Sequence, residues 1–320
     1  MEIKTTKKSQ ILVENYFKML SNMDREKTNA YEKSDILNEF YKDPDIVRIV
    51  NRMVESVFST TSTAVDQWEN IKIPELDGLT PIEYYDTLNS MESLVELVSF
   101  FMKNNNSVPL PSNLKERIKK TDASSVSFLH NALADIKPVA GDDLSKQQKA
   151  ILTIVDILLL PEFIDDLICL IEKLDFESHK KIIRGVTLTL TDIGEPALDK
   201  LVQVVEDTRS YPDESKRALY VISLAKIASE RKSERIYRLL KDYFRKCEIK
   251  YKVSASGLLA LYGDRRSVTM IREYVDRNKE HISKEEYKEF RRNIVSLGGI
   301  PGDLDYSYID KTDLEGKMKE

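Results

Sequence analysis

The sequence predicts an all-α protein in which a helical N-terminal domain precedes a run of antiparallel helix pairs. Three observations carry this. Glycine and proline number only 10 each in 320 residues, too few for a chain rich in turns. Apolar residues recur at spacings of three and four over most of the length, which is the period of one helix face. The second half also repeats a short pattern every 34 or 35 residues.

The bulk composition sets the frame. A chain of 320 residues can hold two ordinary domains or one elongated repeat domain. With 41% hydrophobic and 32% charged residues and a net charge of −5, it has the composition of a folded, water-facing protein. The longest apolar run starts at Ile151 and continues to Leu160, interrupted by Asp156 and ended by Pro161. Such a run is too short for a bilayer, so it predicts a buried helix and no membrane association. The N-terminal MEIKTTKKSQ is basic without a following apolar core, so no secretory signal is expected. Cys169 and Cys247, 78 residues apart, lack metal or redox spacing and sit in apolar helical patterns, where each is expected to be a small filler. A reducing cytoplasm fits this usage.

Residues 1–105 are expected to form the all-helical N-terminal domain. Helical spacing covers 9–20, 31–42 and 45–58, as in Ile11, Leu12, Tyr16 and Leu20. A polar stretch from Ser59 to Thr63 leads to the one tryptophan, Trp68. A strong helix start follows: Leu79 as staple, Thr80 as cap, Pro81 in the first turn and Glu83 as capping-box partner. The stretches Lys103 to Pro109 and Pro138 to Asp143 predict loops, the first a domain boundary. Helices near 112–121, 124–136 and 144–160 form a bridge over 106–160. The repeats occupy 161–300, and the tail 301–320 lacks periodicity and is expected to be partly disordered.

Four helix ends within 161–300 look alike: LTDIGEPALDKL, LAKIASERKSERI, LALYGDRRSVTMI and IVSLGGIPGDL. Each has an apolar residue, two others, a second apolar residue, then Gly or Ala. The second apolar residues are Ile193, Ile227, Tyr262 and Leu297, at steps of 34, 35 and 35. Their partners three residues earlier are Leu190, Leu224, Leu259 and Ile294, and the small residues are Gly194, Ala228, Gly263 and Gly298. Each unit holds a first amphipathic segment, such as Leu198, Leu201, Val202 and Val205, and a second over roughly 177–193, 213–229, 249–262 or 283–297. Pro212-Asp213-Glu214 and Ser283 to Glu286 carry a cap and early acids that complement the helix dipole. A glycine just past the last apolar residue takes the left-handed conformation that stops a helix. Gly263-Asp264-Arg265-Arg266 is therefore expected to be a joint between helices, with Asp264 helping to start the next one.

This pattern resembles the HEAT-like helical repeats, whose antiparallel pairs stack into a curved α-solenoid. A basic residue precedes each second apolar position by nine or ten (Arg184, Arg217, Lys252, Lys288), and Asp175, Asp207 and Asp276 follow first helices, as in that family. The resemblance covers about 160–300. The step of about 35 is shorter than the 40–47 residues of long HEAT units and near the tetratricopeptide length, but the tetratricopeptide residues cannot be placed. A short, bacterial-style HEAT-like array is what the resemblance implies.

Catalytic constellations are scarce. His130, His179 and His281 share no spacing and are expected at the solvated surface. No metal-ligand cluster, phosphate-cradling glycine loop or nucleophile elbow is legible, so neither a metal nor a cofactor is expected. Charge is distributed unevenly: 22 Lys and Arg against 13 Asp and Glu over 209–292 give +9, and the remainder carries −14. Lys216, Lys226, Lys252, Lys288, Arg291 and Arg292 are the candidate partner-binding residues. The expected function is a non-enzymatic protein-protein interaction or scaffold role on a solenoid surface. The alternative is a nucleic-acid binder using the basic repeats, whose attraction for phosphates would be salt-sensitive. A DNA glycosylase of the HEAT-like kind is less favoured, because it implies tryptophans within the repeats and Trp68 lies outside them.

Overall fold

A computed structural model describes residues 2–24, 61–102, 110–120, 122–138 and 144–300. The predicted helices at 31–42 and 45–58, the loops at 103–109 and 139–143 and the tail at 301–320 lie outside the described residues. The described chain is all-α: fifteen helices and, among the described residues, no strand. It divides into two compact units, Met1–Leu158 and Leu159–Glu320.

The first unit contains α1 (Glu2–Asp24), α2 (61–68), α3 (Pro81–Asp86), α4 (Met91–Phe101), α5 (Ser112–Lys119), α6 (Ala123–Ala134) and α7 (Lys146–Leu158). The polar Thr61-Ser62-Thr63 stretch is helical, because the segment that it opens buries Val65 and Trp68. Helix α4 packs against both α1 and α7, and α5 and α6 also rest on α7. An aromatic cluster joins α1, α2 and α4, with ring centroids 5.0 Å apart for Tyr16 and Trp68 and 5.2 Å for Tyr16 and Phe101. The indole of Trp68 donates to Asn15 Oδ1 at 2.8 Å, so its one polar atom is satisfied. The start of α3 is the capping box read from the sequence: Glu83 N–H donates to Thr80 Oγ1 at 3.2 Å, and Thr80 N–H to Glu83 Oε2 at 2.8 Å.

The second unit contains four successive helix pairs: α8 (Ile164–Lys173) with α9 (Lys180–Ile193), α10 (Leu198–Glu206) with α11 (Glu214–Ile227), α12 (Glu234–Lys246) with α13 (Lys252–Tyr262), and α14 (Ser267–Arg277) with α15 (Lys284–Ser296). Within each pair the two helices pack together. The second helices also pack in chain order, α9 on α11, α11 on α13 and α13 on α15. Polar links cross these contacts: Thr191 Oγ1 donates to Ser223 Oγ at 2.7 Å, and Asn293 Nδ2 to Ser256 Oγ at 2.7 Å.

The repeated apolar positions hold the stack together. Leu190, Leu224, Leu259 and Ile294 are all fully buried. Of the positions three residues later, Ile193, Tyr262 and Leu297 are buried, but Ile227 is only half-buried, so the four repeated positions are not equivalent. The small residues that follow also differ. Gly194 and Gly263 end their helices at φ 81° and 74°, where an L side chain is disfavoured. Ala228 stays at φ −85° and is itself fully buried, one turn after Leu224, on the inward face of α11.

The Gly263 turn is a joint, as the pattern suggested. Gly263 N–H donates to Leu259 C=O at 3.1 Å, and the Lys232 ammonium to Gly263 C=O at 2.6 Å. Tyr262 Oη donates to Ser233 C=O at 2.8 Å and accepts from Ser233 N–H at 2.6 Å, tying this joint to the preceding one. Asp264 shapes the turn by accepting from Arg266 N–H at 3.0 Å, while the residue at the cap of α14 is Arg266. Asp175 and Asp207 act likewise in their own turns, accepting from Ser178 N–H at 2.9 Å and from Ser210 N–H at 3.1 Å.

Candidate functional site

The six basic residues singled out in the sequence divide by environment. Lys216 and Lys252 are buried, with 6% and 7% exposure. The Lys216 ammonium donates to Glu172 C=O at 3.1 Å in the last turn of α8, with Glu172 and Asp213 carboxylates at 4.0 Å. The Lys252 ammonium donates to Phe244 C=O and, at 2.9 Å, to Arg245 C=O in the last turn of α12. It also lies 5.3 Å and 5.4 Å from the ring centroids of Phe244 and Tyr274. Both lysines thus satisfy helix-end carbonyls that have no partner within their own helix, at the negative end of the dipole. Neither can reach a ligand without uncovering those carbonyls.

Lys226, Lys288 and Arg292 are exposed and Arg291 is half-buried, all four on second helices. Arg292 pairs with Glu289 at 2.9 Å, within one turn of α15. These residues share their helices with something the charge count did not show. Leu188 on α9, Ile222 on α11, Leu261 on α13 and Val295 on α15 are 54%, 38%, 48% and 50% exposed. Helix α11 packs on α9, α10, α12 and α13, and Ile222 is on the part of it left uncovered. Cations flank the aliphatic residues one turn away: Arg184 before Leu188, Lys226 after Ile222, and Arg291 and Arg292 before Val295. Asp192 is the acid at the same spacing from Leu188.

The first helices offer a different surface. A groove of about 710 Å³ runs between α12 and α14, lined by Arg238, Lys241 and Arg245 on one side and Arg277 on the other. Arg266 closes one end, 4.1 Å over the Tyr237 ring, and is bonded to Asp264 at 2.7 Å and Glu234 at 2.8 Å. Those bonds hold the guanidinium above its ordinary range and depress both carboxylates, so the cluster stays ionised at any physiological pH. A second groove, between α10 and α12, has mixed charge: Arg235 and Glu206 pair across it at 2.5 Å.

Cys169 is exposed rather than a core filler, since its position on α8 faces outward between inward-facing Ile168 and Leu170. Cys247 is half-buried, its Sγ 3.6 Å from Phe244 C=O, and burial raises its thiol pKa. His130 and His179 are half-buried and His281 exposed; His179 Nδ1 lies 3.0 Å from Asp175 C=O. Among the described residues, no group of three or more His, Cys, Asp or Glu is placed to hold a metal ion. No helix among them is long and apolar enough to cross a membrane.

Neither protein-family models, nor curated proteins, nor solved structures match this chain.

Proposed function

We propose that the protein is a non-enzymatic interaction protein, that residues 161–300 form a HEAT-like α-solenoid, and that a protein partner docks across its second helices. The observation that carries this is the set of exposed aliphatic side chains Leu188, Ile222, Leu261 and Val295, one on each of four consecutively packed helices. Single exposed aliphatics are ordinary, but one on every unit of a repeat makes a track that water solvates poorly and a partner covers. The flanking cations Arg184, Lys226, Arg291 and Arg292 favour an acidic amphipathic segment: aliphatic side chains to meet the track and carboxylates to meet its edges.

A nucleic-acid role draws less support. The +9 counted over 209–292 overstates the charge offered to a polyanion, because Lys216 and Lys252 are held by carbonyls and Arg235 by Glu206, which lies outside that stretch. The test is affinity capture from the native source, with and without nuclease, using the wild-type chain beside a variant with Leu188→Ser, Ile222→Ser, Leu261→Ser and Val295→Ser. A defined protein is expected on the wild type, absent from the variant and indifferent to nuclease. Equal capture by both chains, or loss on nuclease treatment, would refute the proposal.

A further inference from the structure

The groove between α12 and α14 belongs to the first helices, and it stands apart from the aliphatic track. Arg238, Lys241 and Arg245 occur at i, i+3 and i+7 on α12, so they share one face. At 1.5 Å per residue they span about 10 Å along the axis. Arg277 on α14 lines the other wall, its nearest acid being Glu273 at 3.6 Å. Counting Lys252 and Arg266, six cations line the groove; Glu234 pairs with Arg238 at 3.4 Å and with Arg266 at 2.8 Å, Asp264 also holds Arg266, and Glu273 is the remaining acid of the lining. Lys241 and Arg245 make no ion pair among the described residues. The buried Lys252 ammonium lies beneath, where its charge is poorly screened. Like charges gathered on facing walls repel one another, and an anion of several charges turns that repulsion into attraction.

The geometry points to a binding site for a small oligophosphate, with phosphoryl groups in a row along Arg238, Lys241 and Arg245 and a guanidinium from Arg277 closing over them. Size and chemistry both select this class. A volume of about 710 Å³ is that of a small-molecule site. Guanidinium forks match phosphoryl oxygens two at a time, and phosphates supply the charge density that single carboxylates lack. A nucleic-acid strand fits less well. Of the aromatic residues that line the groove, Tyr237 and Phe244 are 5% and 2% exposed, and half-buried Tyr274 packs against Phe244 and Phe290 with the Lys252 ammonium 5.4 Å from its ring centroid, so none offers a fully open ring on which a base could stack. Glu273 also interrupts any basic track running along α14.

Titration calorimetry of the full chain with inorganic tripolyphosphate tests the site. One saturable equivalent is expected, with affinity that falls as salt rises. The pair Lys241→Ala and Arg245→Ala removes two charge-assisted contacts, each worth about tenfold, and so weakens binding about a hundredfold. Both side chains lie outside the core, so the melting temperature is expected to hold. Arg245→Lys, which keeps the charge but loses the fork, is expected to weaken binding less than Arg245→Ala does. Lys226→Ala with Lys288→Ala, on the second helices, changes it by less than about twofold. A nucleoside triphosphate is expected to bind like tripolyphosphate, since no fully open ring receives its base. The inference is overturned by any of three results: no saturable binding, equal losses from the two variant pairs, or tighter competitive binding of a short single-stranded RNA. None of these outcomes bears on the partner track, whose variants lie on other helices.

Discussion

Lys216 and Lys252 show how far a residue's role depends on its surroundings. In sequence they are two charges in a basic stretch; in the fold each is a cap on a helix in contact with its own. Lys252→Ala strands the carbonyls of Phe244 and Arg245 in a buried place, which is expected to lower stability by about 1–3 kcal/mol. Lys226→Ala, on an exposed turn, is expected to stay within about 0.5 kcal/mol. Urea unfolding of the two variants distinguishes the roles. Glu69, which no sequence pattern singled out, is buried beside Tyr16 and Tyr85 and accepts from Asn113 Nδ2 at 2.7 Å. Burial raises its carboxyl pKa, with Asp66 adding to the rise, against the hydrogen bond from Asn113, which lowers it. The folded state therefore binds this proton more readily than the unfolded one. The stability that the proton confers is present below the ordinary value of 4.5 and is lost as pH rises toward the raised value. Glu69→Gln is expected to melt above the wild type near neutral pH, with the gain shrinking as pH falls through the carboxylate range. A gain that does not vary with pH would mean that charge is not the cause.

At the scale of elements, helix ends decided what could be read in advance. The 35-residue step, the glycine stop at Gly263 and the capping boxes at Thr80 and Ser283 depend on neighbours within a few residues, so the sequence displays them. The partial exposure of Ile227 depends on how α11 packs among several helices, which the local pattern does not display. The fate of Lys216 was hidden for another reason: its carbonyl partner is 44 residues away, across a contact between non-consecutive helices. The aliphatic track was missed because Leu188, Ile222, Leu261 and Val295 are apolar residues inside apolar patterns, and only packing shows which side of a helix is left open. Two expectations follow for unfolding measurements. Leu224→Ala removes a fully buried side chain and is expected to cost about 2–5 kcal/mol, whereas half-buried Ile227→Ala is expected to cost clearly less. Gly263→Ala forces an L residue to φ 74° and is expected to cost about 1–2 kcal/mol, although its added methyl meets only the flexible end of Lys232, at 3.4 Å, and the Ala260 carbonyl at an ordinary 4.0 Å.

For the whole molecule, the central claim is that the open face of the second helices is a docking surface for another protein. The most direct measurement places a photoreactive residue at Ile222 in one chain and at Arg238, on the first helices, in another, and irradiates each in the native cell. A protein adduct of one defined mass from position 222, lost when Leu188 and Leu261 are changed to serine and absent from position 238, is the expected result. The claim is contradicted if position 222 yields no adduct, or if the same adduct forms equally from both positions.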